Sequence, residues 1–146
     1  MDRPSSSQAD PSPSPQASPA QARSIKRRLL ERVADADDSH KTIAADEGAW
    51  RPFASGVRIK VLHEHEGVMS FLLRLEPGAR LPPHRHEMDE ECIVLEGALQ
   101  VGTHTVVAAG GYHLAHAGAL HATVSSQVGA TIFLRGAVPR SDHVLA

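Results

Sequence analysis

The segment His84-Arg85-His86-Glu87-Met88-Asp89-Glu90-Glu91 sets two imidazoles one residue apart and follows them with four carboxylates. In an extended chain successive side chains alternate between faces, so His84 and His86 point the same way and offer two nitrogens to one ion. Past a short reversal, Glu90 opens the next apolar run and can add an oxygen, while Glu91 faces the other side. His121 follows the turn at Gly118 and opens a later strand, which makes it the leading candidate for a further nitrogen. His63 and His65 repeat the spacing of the first pair, but a surface hairpin gives the same pattern, and that is how they read. Three neutral nitrogens and one carboxylate suit Zn²⁺, Fe²⁺, Mn²⁺ or Ni²⁺, and ligand softness does not choose among them. Four such groups close a tetrahedral zinc ion into a structural or sensing site, whereas an octahedral Fe²⁺ keeps two positions for O₂ or a chelating substrate.

The residues around this cluster read more plainly. Cys92 shares strand parity with Glu90; a buried core thiol is the leading reading, a redox reporter beside the ion the second. His113 and His116 read as groups that orient or rim the ligands. Glu87, Asp89, His40, His104 and His143 read as solvated, and Trp50, Phe53, Phe71 and Phe133 as core, with pocket wall the second reading. A single cysteine allows neither an internal disulfide nor a cysteine-only zinc module. Nothing has the pattern of a nucleophile triad or a phosphate loop.

Such a site needs strands to carry it, and the chain supplies them after His40, where short apolar runs alternate with Gly and Pro. Strands are predicted at residues 50–53, 57–62, 69–75, 80–84, 90–95, 99–101, 105–107, 112–115, 121–125 and 130–135, with turns at Glu66-Gly67, Pro77-Gly78, Glu96-Gly97, Gly110-Gly111 and Ala117-Gly118 among others. That density of short strands predicts a sandwich or barrel and excludes a doubly wound α/β fold, which needs crossover helices. Upstream, Ser24 can cap a helix in which Ile25, Leu29, Val33 and Ala36 recur at helical spacing, ending near Asp37-Asp38-Ser39. Its basic residues could meet an acidic partner, although a solvated face is the leading reading of them. Residues 1–23, rich in Pro and Ser, predict a disordered tail.

Composition limits the function. The chain has 146 residues, 41% of them hydrophobic and 22% charged, with a net charge of −2. It has no excess of positive charge for gripping nucleic acid, and no apolar run nears the roughly 20 residues of a membrane helix. With one cysteine and no secretory signal pattern, a cytoplasmic location is expected.

The cluster also sits in a frame: Gly78, five residues, His84-x-His86, three residues, Glu90, six residues, Gly97; a second frame runs from Gly110 through Gly118 to His121. These frames resemble the paired motifs of the cupin superfamily, with departures at His116, where Pro is usual, and near Ser125, where Asn is common. The resemblance implies an all-β, double-stranded β-helix (jelly-roll) barrel with one N-terminal helix, and His84, His86, Glu90 and His121 as ligands of one divalent metal ion. Within the superfamily, Leu75-Glu76-Pro77-Gly78-Ala79, the run Glu90 to Gly97 and Gly111-Tyr112-His113 look most like the C-terminal cupin-like domain of ChrR-type anti-sigma factors, over about residues 42–136. Such factors carry a Cys-rich zinc domain ahead of the cupin, which is not expected here because no Cys precedes Cys92. The organisation implied is a tail at 1–23, a helix and linker at 24–40, a metal-binding barrel at 41–140 and a C-terminal tail at 141–146. The function implied is a regulatory or sensory domain holding a small molecule in its barrel, pairing as a homodimer and meeting a protein partner through the helix at 24–38. The alternative is a small Fe²⁺-dependent dioxygenase acting on an oxygenated aromatic or diketone.

Overall fold

The computed structural model describes residues 18–35 and 40–139, so the expectations for residues 1–17 and 141–146, and for the helix end near Asp37, lie outside the described residues. The chain divides after Thr42 into two units. The first contains helix α1 (Pro19–Asp35), which begins five residues ahead of the predicted start. Ser18, not Ser24, is the cap. Its Oγ accepts from the Gln21 N–H at 3.3 Å while Gln21 Oε1 accepts from the Ser18 N–H at 2.8 Å, a reciprocal capping box that Pro19, at the first helical position, does not disturb. Residues 18–23, expected in the tail, therefore belong to the helix or its cap. Ile25, Leu29, Leu30 and Val33 are exposed. No helix among the described residues is long and apolar enough to cross a membrane.

The second unit is all-β: β1 (Arg51–Ala54), β2 (Val57–His65), β3 (Val68–Leu75), β4 (Arg80–Leu81), β5 (His84–Arg85), β6 (Glu90–Val101), β7 (Thr105–Ala108), β8 (Tyr112–Ala115), β9 (Leu120–His121), β10 (Val124–Ser125) and β11 (Ala130–Ala137). One sheet runs β1-β2-β3-β11-β6-β10-β4, with β7 and β8 also on β6, and β5 pairs with β9 alone. The long strand β6 makes the barrel. Its first half pairs with β11 and β8, its second half with β7 and β10, so one strand bends from one wall into the other. The inward residues of these strands, including Phe71, Leu73, Leu75, Val94, Leu99, Ile132 and Leu134, form one buried cluster. The expected barrel is thus present.

Two boundaries differ from the sequence reading. The predicted strands at 90–95 and 99–101 are one strand, with the expected turn at Glu96-Gly97 inside it next to a bulge at Leu95: opposite Thr131 and Ile132 the register jumps from Glu96 to Val94. The predicted strands at 80–84 and 121–125 are each broken in two. For the first, Pro82 and Pro83 supply the reason, since neither has an N–H for a ladder.

Candidate metal centre

Breaking those two strands creates the site. β5 and β9 turn away from the main sheet and pair with each other, setting His84 directly opposite His121. His86, just past β5, completes a trio whose ligating atoms all lie within 4.8 Å of one another. The rings of His84 and His121 stack at 5.1 Å with 16° between their planes, and His86 stands edge-on to both, at 4.7 and 5.2 Å.

Hydrogen bonds fix which nitrogens are free to bind an ion. A carbonyl oxygen can only accept, so His84 Nδ1–H donates to the Pro82 carbonyl at 2.9 Å and His121 Nδ1–H to the Ala122 carbonyl at 3.0 Å. Each ring then keeps its lone pair on Nε2. In His86, Nδ1 lies 3.6 Å from Glu90 Oε2, and the buried Nε2 has no hydrogen-bond partner. A buried polar atom left unpaired costs about 1–3 kcal/mol, a cost that coordination to a metal would remove. The donor set therefore fits a divalent ion.

Electrostatics agree with that fit. Burial, reinforced by His84, His121 and His113, brings His86 down to about 4. Burial also lowers His121, helped by His84 and His113 and partly offset by its bond to Ala122. Burial alone pushes Glu90 up to about 7. His86 and His121 are held neutral, as imidazoles must be to bind a metal, and the Glu90 carboxyl is held back from ionising unless a cation offsets its burial.

These shifts have opposite consequences for the metal-free protein. Between about pH 4 and 6.5 the unfolded chain binds the His86 proton and the folded chain does not, so stability rises with pH. Between about pH 4.5 and 7 the folded chain keeps the Glu90 proton and the unfolded chain releases it, so stability falls with pH. In chelator-treated wild type the rise from His86 and His121 is expected to be offset in part by the fall from Glu90, whereas Glu90→Gln, lacking the opposing contribution, gains stability more steeply as pH rises to 6.5. Urea titrations of both proteins measure this; parallel profiles would refute it.

A clip joins the two histidine-bearing segments. The Gly118 N–H donates to the His86 carbonyl at 2.9 Å, Arg85 Nη1–H donates to the Gly118 carbonyl at 2.7 Å, and the Ala117 N–H donates to Asp89 Oδ1 at 2.8 Å. Asp89, expected to be merely solvated, is thus a structural partner, and the Ala117 bond holds its carboxyl below the usual carboxylate range. His116 belongs to this exposed rim, with Nδ1 3.5 Å from Asp89 Oδ2. His113 lies closer in, its ring edge-on to His121 at 5.3 Å but outside the converged trio. Cys92 is buried, and burial, with Glu90 nearby, pushes its thiol up to about 12, which marks a core residue. His63 and His65 are exposed on β2, their rings stacked at 6.3 Å. Beside the trio lies a cavity of about 90 Å³ walled by Phe53, Phe71, Leu99, Ile132 and Leu134, among others. It gives the site an apolar chamber with its polar groups gathered at one side.

The ChrR cupin-like domain family matches residues 38–138. Among solved structures, a chain of the complex between Rhodobacter sphaeroides SigE and the anti-sigma ChrR is 18% identical with a TM-score of 0.57, covering 87% of this chain and 71% of that one. An acetylacetone dioxygenase from Acinetobacter johnsonii is 19% identical with a TM-score of 0.57, covering 75% and 89%. KdgF from Halomonas sp. is 21% identical with a TM-score of 0.61, covering 71% and 98%. These are likenesses of fold. No curated protein matches the sequence.

Proposed function

From the premise that this chain belongs to the ChrR cupin-like domain family, we propose that it is a cytoplasmic metal-binding regulatory protein. The observation that carries this reading is the convergence of His84, His86 and His121, with the Nε2 of His86 buried and unpaired. These three residues hold one divalent ion, Zn²⁺ or Fe²⁺, with Mn²⁺ and Ni²⁺ suited to the same donors, and Glu90 is the fourth ligand. The bound ion supplies a Lewis acid at the head of the apolar chamber. The chamber walls exclude water and receive a small molecule, while Pro82 and Ala122 hold two of the rings in their ligating tautomer.

The regulatory part of the proposal draws on α1. Its exposed Ile25, Leu29, Leu30 and Val33, with Arg27, Arg28 and Arg32 on the same helix, suit a protein partner that has an apolar groove and acidic margins. A second copy is proposed to pair through the outer sheet, where Leu72, Phe133, Ile93 and Tyr112 are successive cross-strand neighbours; sedimentation reads that state. The second reading, a small Fe²⁺-dependent dioxygenase acting on an oxygenated aromatic or diketone, is favoured by the chamber's apolar walls beside the three histidines.

The experiment is metal analysis of protein purified without added ions, followed by oxygen uptake against a panel of aromatic ketones and diketones. Near-stoichiometric divalent metal without uptake is expected. Protein that neither retains nor takes up metal would refute the centre, and iron with turnover would install the second reading.

A further inference from the structure

We propose that Gly136 is a positioning residue of the metal centre: it has no side chain because the Glu90 side chain occupies that space. The proposal rests on the metal-binding reading above. Between β11 and β6, Leu134 pairs with Cys92 and Arg135 with Glu91, so Gly136 is the next residue along, opposite Glu90. A Cβ built on Gly136 would lie 3.0 Å from Glu90 Cγ, 3.1 Å from its Cβ and 3.2 Å from Oε2, tighter than nine in ten real contacts of this kind. Backbone conformation does not call for glycine here, since Gly136 is absent from the positive-φ residues. A glycine inside a strand weakens it, and close approach by another group is a recognised reason to find one there.

The other neighbours leave Glu90 little alternative. Across β8 it faces Ala115, which is buried, and beyond Gly136 on β3 lies Met69, also buried. Glu90 therefore lies in a slot whose two cross-strand walls are the small residues Ala115 and Gly136. In that slot its Oε2 is 3.6 Å from His86 Nδ1. The three atoms nearest to a methyl group at position 136 all belong to Glu90, so the Glu90 side chain would have to shift to admit it.

The test is Zn²⁺ affinity, measured by competition with a chromophoric chelator, together with thermal unfolding in EDTA. Gly136→Ala is expected to weaken Zn²⁺ binding by about 10–100-fold, the usual loss when a group supporting the ligands is disturbed. In a Glu90→Ala background the same change is expected to leave affinity unaltered, because Cγ and Oε2 are gone and the Cβ that remains 3.1 Å away carries no ligand atom. An unaltered affinity for Gly136→Ala, or an equal loss in both backgrounds, would overturn the proposal. Should Gly136→Ala not fold, the double variant is expected to fold, and its failure to do so would count against the slot. Wild type that binds none of Zn²⁺, Fe²⁺, Mn²⁺ and Ni²⁺ overturns the metal reading itself, whereas wild-type binding with an indifferent Gly136→Ala overturns the positioning role alone.

Discussion

His121→Ala and His86→Ala, each purified beside wild type, are expected to lose most of their bound metal. Each removes one of three nitrogens that meet within 4.8 Å. Two remaining imidazoles form a much weaker chelate, and affinity falls further than the 10–100-fold typical of supporting groups. His113→Ala is the matching control: its ring is 5.3 Å from that of His121 but outside the trio, so most of its metal is retained. Mass-spectrometric metal counts per chain decide the matter. Full occupancy in His121→Ala, or equal losses in the His113 and His121 variants, would break the assignment.

The second large effect concerns the frame. Gly97 has φ +71°, and a Cβ there would overlap the Gly129 carbonyl, lying 2.9 Å from its carbon. Gly97→Ala must adopt a left-handed backbone, at about 1–2 kcal/mol, and also push back a neighbouring strand, at about 1–3 kcal/mol. A loss of about 3 kcal/mol, or roughly 10–20 °C in the unfolding midpoint, is expected for a barrel of this size. Gly110→Ala separates the two contributions, because Gly110 has φ +85° but nothing within 4 Å of the added carbon. Thermal unfolding of both variants should place Gly97→Ala well below Gly110→Ala. Coincident midpoints would mean that the strand yields freely.

The pairing of His84 with His86 was legible because strand alternation is a local rule, while His121 was named from its place after the Gly118 turn and from the resemblance of the glycine frames. What could not be read locally depended on register. The Glu90 parity was visible, but its slot is built by Ala115 and Gly136, residues that become neighbours only once β8 and β11 have docked on β6. Gly97 read as a turn because positive φ serves turns and bulged strands alike; the nearness of the Gly129 carbonyl has no mark in the sequence. Asp89 looked idle because its partner is a backbone N–H, which any residue at 117 would supply. The helix start was missed for a different reason. Pro and Ser signal a tail by composition and a capped helix by position, and at Ser18-Pro19 position prevailed.

The bonds among Arg85, His86, Asp89, Ala117 and Gly118 involve no ion, yet they tie together the two stretches that carry the imidazoles. Small zinc modules fold only when loaded, so for them losing the metal means losing the protein. Here the two stretches are tied by hydrogen bonds of the chain itself. On the proposed metal-binding reading, loading and unloading the site would leave this tie in place.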